Sequence, residues 1–359
     1  MITKPTLLLD EKKCRLNIVT MAEKARKNGV VLRPHFKTHQ SLEIGRWFKE
    51  AGVERITVSS FEMASYFAPE WQDITVAFPV NILEIHTINK LARKIHLNLL
   101  VESVETARFL KENLRFEVGF FIKIDVGTRR TGLKPDETDT IDEILQLTEN
   151  SDNLRFKGFL AHAGHTYQCR TNQDILSVHE TTLAIMAALK KQYQEKYPGL
   201  IISVGDTPGC SVAEDFTGAD ELRPGNFVFY DLVQHQIGSC AVDQIAVAMA
   251  CPIVAIHQNR NEIVVYGGGV HFSKDNMQDE QLGTIYGRIA TMEDNGWGEV
   301  IPGMYLRSIS QEHGIVVVPP LEMTKYKIGD YLIVLPVHSC MTADLMRQYL
   351  TTDGEWIVL

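Results

Sequence analysis

The stretch VVLRPHFKTHQS, residues 30–41, closes an apolar run on His35, Lys37 and His39. Residues two apart in an extended segment share a face, so alternation places an amine between two imidazoles. An amine so placed is a candidate nucleophile toward a carbonyl and, once released, a candidate base. The motif GDTPG at 205–209 suits an anion. Its glycines let backbone N–H groups approach closely, and Thr207 and Ser211 add hydroxyls. In LPVHSC, His338 and Cys340 are also two apart and could chelate one ion if the segment is a strand. Alone, each feature has an ordinary reading as a strand end, a tight turn or a chance pair.

These residues need elements to position them. Apolar, β-branched runs recur at 30–35, 55–60, 73–80, 97–103, 119–127, 156–162, 200–206 and 221–229. Most are separated by helix-like stretches, such as SLEIGRWFKEAG, SVETARFLKENL and a long periodic segment from about Asn172 to Tyr197. Strands alternating with helices imply parallel pairing through crossovers, and eight such units suit a (β/α)8 TIM-type barrel in the α/β class. An open doubly wound sheet is the other arrangement, but no GxGxxG follows the first strand. After about residue 235 apolar strands come without long helices, which predicts a C-terminal mainly-β domain. The expected organisation is residues 13–235 for the barrel and 236–359 for the β domain, with residues 1–12 donating a strand, TLLLD, to the latter.

Such a barrel places its chemistry beyond the strand C-termini. The tips then offer His35, Lys37 and His39, the run from Asp125 to Gly132, and His162, Gly164, His165 and Tyr167. GDTPG, Asn226, Tyr230 and Asp231 follow. A lysine at one tip and a phosphate cradle across the mouth are what pyridoxal phosphate needs.

The 359 residues carry a net charge of −9, which argues against nucleic-acid and anionic-membrane surfaces. No apolar run has the roughly 18 residues of a membrane span, and the first residues lack a signal-peptide core. Six scattered cysteines with no CxxC pair suggest free thiols in a cytoplasmic protein.

The ordered set RPHFKTH, KIDVGTRRTG, LAHAGHTY, GDTPG, RPGNFVFYD, SQEHG and PVHSC spans nearly the whole chain. It resembles the fold-type III pyridoxal-phosphate enzymes of the alanine racemase-like barrel group, in their D-serine dehydratase and D-threonine aldolase branch. The resemblance implies that Lys37 is the Schiff-base lysine and that Arg130 holds the cofactor's phenolic oxygen. His35 and His165 join Lys37 as catalytic candidates, with the imidazoles at 35 and 39 orienting the ring and keeping the lysine uncharged. His162, Tyr167, Thr207, Gly209, Asn226 and Tyr230 are cofactor-binding candidates, the last two on the phosphate side. Arg223 is a weaker candidate for the ring nitrogen. His338 and Cys340 fall where the family holds a divalent metal; imidazole plus thiolate favours zinc. Val337 stands where the family has asparagine.

The implied reaction is α,β-elimination of water from D-serine or a related D-3-hydroxy amino acid, giving a 2-oxo acid and ammonia. Retro-aldol cleavage to glycine and an aldehyde uses the same groups and is the alternative. Racemisation needs a second base, and the Gly-Tyr-Ala-Asp-Gly segment that supplies it is absent. A cofactor-binding barrel without catalysis would not need the added β domain, and a sugar-phosphate barrel would bind no chromophore. A homodimer is expected, with a shared active site that places Glu312 and His313 near the metal ligands.

Overall fold

The apolar run Thr6–Leu9 is buried along its whole length and forms strand β1. The structure, a computed structural model, describes residues 2–294 and 296–359. They divide into two compact units, one of residues 19–37 and 45–225, the other of residues up to 18, 38–44 and 226–359. This boundary precedes the expected 235/236, and the segment 38–44 leaves the barrel unit just after Lys37.

The first unit is the expected barrel. Its strands are β2 (Val31–Leu32), β3 (Arg55–Val58), β4 (Asp73–Pro79), β5 (His96–Val101), β6 (Val118–Ile124), β7 (Leu154–Ala161), β8 (Ile201–Val204) and β9 (Glu221–Leu222). They pair in parallel in the order β2-β9-β8-β7-β6-β5-β4-β3. The gap between β2 and β3 is bridged just past β2, where Thr57 exchanges backbone hydrogen bonds with Pro34 and Phe36 at 2.9 and 2.8 Å. The barrel is therefore nearly closed.

Helices start close behind their strands. Ser60, Ser103 and Asp206 each lie two residues past a strand end, and each caps a helix through its side chain. Such caps satisfy backbone N–H groups that the first helical turn leaves unpaired. Turning so sharply leaves the strand C-termini and the helix N-termini at one end of the barrel, where its chemistry is expected.

Alternation along β6 puts Gly119, Phe121 and Lys123 on one face. Gly119 and Phe121 line a cavity with Arg33, Asp73 and Asn98, so this face looks into the barrel. At the strand N-terminal end Arg33, only 2% exposed, forks onto Glu221 at 2.9 and 3.0 Å and reaches Asp73 at 2.7 Å. Next comes an apolar layer of Leu100, Phe121 and Leu160. Lys123 lies one step nearer the mouth.

The second unit is mainly β. Its strands are β1, β10 (Val247–His257), β11 (Glu262–Tyr266), β12 (Met277–Asp279), β13 (Gly283–Ile285), β14 (Gly287–Glu293), β15 (Gly296–Ile309), β16 (His313–Val317), β17 (Tyr331–Pro336), β18 (Gln348–Thr351) and β19 (Trp356–Val358). Because β11 pairs with both β16 and β10, the strands β10, β17, β14, β15, β16 and β11 close a ring. Strand β1 extends this sheet, antiparallel to β10 and parallel to β18.

Candidate active site

In the barrel unit, β2 ends early. Residues 36–39 turn, and Gln40 takes the left-handed φ of +50°. The buried Phe36 ring sets this bend by packing 5.0–5.1 Å from the rings of Phe48, Phe67 and Trp71. The expected single face for His35, Lys37 and His39 therefore does not hold. Lys37 is exposed, and its N–H donates to His35 Nδ1 at 3.3 Å. His39 belongs to the other unit, fully buried, where its carbonyl accepts the Tyr349 hydroxyl at 2.7 Å. Its role there is packing and hydrogen bonding.

Basic groups gather at the mouth. Burial holds His35 well below the ordinary imidazole range, and the charges of Lys37, Arg223, His162 and Arg130 push it further. His162 is pushed down to about 3, mainly by burial. Its Nδ1 lies 2.8 Å from the Gly205 carbonyl, so that nitrogen carries the proton and Nε2 keeps its lone pair. Gly205, at φ +150°, leaves no room for a side chain: a Cβ would come within 2.4 Å of the Arg223 backbone. Buried Lys123 is lowered to about 7 by desolvation and by the charges of Arg223 and Arg130, against the opposing pull of Asp125 and Glu102. Arg223 points inward, donating to Ser203 Oγ at 2.8 Å and to the Ala161 carbonyl.

The remaining barrel candidates fall around these. Exposed Arg130 follows Arg129, which sits at φ +55°. His165 Nδ1 is 3.3 Å from Thr128 Oγ1, and its ring covers Gly127. Tyr167 is half-buried in the turn Gly164–Gln168. Thr207 is buried, 3.4 Å from the Gly225 amide. Gly209 corrects one expectation: its N–H donates to Asp206 Oδ1 at 2.7 Å, so this amide is not offered to an outside anion. Asp206 also accepts from Thr166 at 2.8 Å.

In the second unit β17 ends at Pro336, followed by buried Val337. His338 then caps the helix Ser339–Met346, and Cys340 lies in its first turn. The pair is therefore set by a strand-to-helix junction and not by strand alternation. His338 Nδ1 is 2.6 Å from Asp275 Oδ2. Burial would lower His338, but hydrogen bonding to Cys340 and Asp275 and the negative charges of Cys340 and Asp231 outweigh it and raise it to about 10.

The sulfur has its own neighbours. Cys340 Sγ lies 3.2 Å from Thr38 Oγ1 and 3.3 Å from Asn226 Nδ2. The Asn226 amide also reaches Asp231 at 2.7 Å and Ser339 at 3.0 Å, so its side chain serves the sulfur and not the expected phosphate side. Buried Asp231 holds the junction by accepting from the Ser339 amide at 3.0 Å and the Gln234 amide at 2.9 Å. Tyr230 sits at φ +50°, an uncommon and strained state for a bulky residue. Glu312 lies 3.8 Å from His271, and His313 opens β16 opposite Tyr266.

Residues 9–232 match the family described as alanine racemase, N-terminal domain. The chain belongs to that family. Residues 246–352 match a putative serine dehydratase domain, which accounts for the β unit. The D-serine dehydratase of Dictyostelium discoideum is 29% identical over 99% of this chain and 94% of its own length. The D-threo-3-hydroxyaspartate dehydratase of Delftia sp. (strain HT23) is also 29% identical, over 98% of this chain and 95% of its own. Its solved structure matches with a TM-score of 0.91 at 28% identity, covering 100% of this chain and 98% of that one. A cysteine-to-alanine variant of a D-threo-3-hydroxyaspartate dehydratase, also similar at a TM-score of 0.91, is a metal-free form. D-threonine aldolase from Filomicrobium marinum has the same fold, with a TM-score of 0.79 at 19% identity over 99% of this chain and 96% of that one.

Lys123, Asp275 and Thr38 escaped the sequence reading as site groups. Lys123 had a signal: it is the one charge within the seven residues of β6. Asp275 had none, being 63 residues from His338.

Proposed function

We propose that the protein is a pyridoxal-phosphate- and zinc-dependent D-amino acid dehydratase. It would remove water from D-serine or a related D-3-hydroxy amino acid, and the eliminated product would hydrolyse to a 2-oxo acid and ammonia. The reading is carried by what each unit holds by itself: an excess of cationic groups in the barrel unit, and in the β unit a thiol–imidazole pair with Asp275 2.6 Å from its imidazole. The first suits an anionic cofactor and the second suits a cation.

When bound, pyridoxal phosphate supplies an electron sink that acidifies Cα–H, and a divalent metal supplies a Lewis acid for the departing hydroxyl. Lys37 would hold the cofactor and move the Cα proton. His35, neutral through burial and fixed by the Lys37 N–H, limits positive charge beside that amine. Arg130 would face the phenolic oxygen, Tyr167 and His165 would flank the ring, and Thr207 and Tyr230 would contact the phosphate. His338 and Cys340 would hold the metal. Among the described residues no group of three or more His, Cys, Asp or Glu is placed to hold a metal. A metal here would keep positions open for water or substrate, as catalytic sites require.

The test is end-point analysis of a D-amino acid panel with and without a chelator. Metal-dependent formation of 2-oxo acid and ammonia is expected; glycine plus an aldehyde would replace this reading with the aldolase one. A homodimer in the cytoplasm, its barrel mouth covered by the partner's β domain, completes the proposal. None of the six cysteines is disulfide-bonded, as a reducing compartment would keep them. Full activity in a monomer would remove the shared site.

A further inference from the structure

The loop from Gly267 to Asp275 is tightly fixed. A Cβ on Gly267 would come within 2.6 Å of Cys251 Sγ, and one on Gly268 within 2.4 Å of the Ser310 carbonyl, so neither tolerates a side chain without rearrangement. Phe272 is buried, and its carbonyl accepts the Thr342 hydroxyl at 3.3 Å, which ties the loop to the helix Ser339–Met346. Ser273 takes φ +71°, and its Oγ accepts the Asp275 N–H at 3.1 Å. These restraints deliver the Asp275 carboxylate to His338 Nδ1 at 2.6 Å. A carboxylate only accepts, so Nδ1 keeps a proton, and Nε2 is the nitrogen that a metal would take by displacing its proton.

Given the metal assignment to His338 and Cys340, on which this inference rests, we propose that Asp275 is a positioning residue for the metal. It fixes the tautomer and ring orientation of His338 and strengthens Nε2 as a ligand. Outer carboxylates of this kind typically contribute 10–100-fold in metal affinity. Asp275 comes from this loop and His338 from the strand-to-helix junction, and their 2.6 Å contact orients the imidazole before any ion arrives.

The experiment measures zinc affinity of the purified holoenzyme by competition with a chromogenic chelator, and records cobalt(II) absorption spectra of the same variants. His338→Ala and Cys340→Ala should lose zinc binding. Asp275→Ala should bind zinc about 10–100-fold more weakly. Asp275→Asn should fall between, since its amide oxygen can still accept from Nδ1 but adds no charge. The sulfur-to-cobalt band should survive in both Asp275 variants, because Cys340 remains. Wild-type zinc affinity in Asp275→Ala and Asp275→Asn, with binding lost in Cys340→Ala, would overturn the positioning role and leave the metal site standing. Wild-type affinity in His338→Ala and Cys340→Ala would overturn the metal assignment itself. A purely structural ion pair predicts a lower melting temperature with unchanged zinc affinity; should Asp275→Ala not fold, Asp275→Asn decides.

Discussion

Replacing Lys123 with methionine should stabilise the protein at neutral pH. Lys123 is 5% exposed, its amine donates to the Ile124 carbonyl at 3.0 Å, and it shares the barrel interior with the cationic Arg223. A fall from the ordinary 10.5 to about 7 corresponds, at about 1.4 kcal/mol per tenfold in proton affinity, to a ceiling of about 5 kcal/mol. Relaxation and water entry reduce the cost of a buried charge, so about 2–3 kcal/mol is the expected gain. In a unit of this size that is roughly 4–12 °C in melting temperature.

The pH dependence carries the sign. Below pH 7 both folded and unfolded chains hold the proton, so the folded state bears the full penalty. Between 7 and 10.5 the unfolded chain keeps a proton that the folded chain has released, and the penalty shrinks as the pH rises. Calorimetry of wild type and Lys123→Met should therefore show the largest gap at pH 6–7 and a smaller one at pH 9. A variant melting below wild type at pH 7, or a gap that widens with pH, refutes the reasoning. A lysine that costs stability where methionine would not marks a position kept for function.

Lys37→Ala should abolish dehydration and leave the fold intact, since the side chain is exposed; borohydride-fixed label on another lysine would reassign the site. Arg33→Met should cost about 3 kcal/mol, because Glu221, at 1% exposure, would keep only the Ser203 hydroxyl and the more distant Arg55; a melting temperature within 2 °C of wild type would contradict that.

Much of the fold was legible. All eight barrel runs became strands, because a buried parallel strand needs continuous apolar sequence and shows it. The edges were less so: ELRPGNFVF reads as one strand, yet only Glu221 and Leu222 pair, since Pro224 and Gly225 break the ladder before a turn at 226–228. Strand β15 went unread because Gly298, Pro302 and Gly303 interrupt its pattern. At the site, single positions were readable and arrangements were not. The bend after β2 depends on four aromatic rings meeting, and the partners of His338 and Cys340 come from distant parts of the sequence.

The two charged layers inside the barrel explain why one end is structural and the other is a site. Arg33 meets Glu221 and Asp73 within 3.0 Å, and Arg55 lies 3.5 Å from each of the same two carboxylates, so two cations neutralise two anions within the chain. Such a layer can hold the bottom of a barrel together and asks nothing of a ligand. Toward the mouth, Lys123, Arg223, Arg130 and Lys37 raise the cost of protonating His35 and His162. The carboxylate of Asp125 there is turned to the amides of Gly127 and Arg129. That end is left with positive charge its own residues do not balance. A phosphorylated, phenolate-bearing cofactor would balance it, and its arrival should draw the two layers toward the same electrostatic condition.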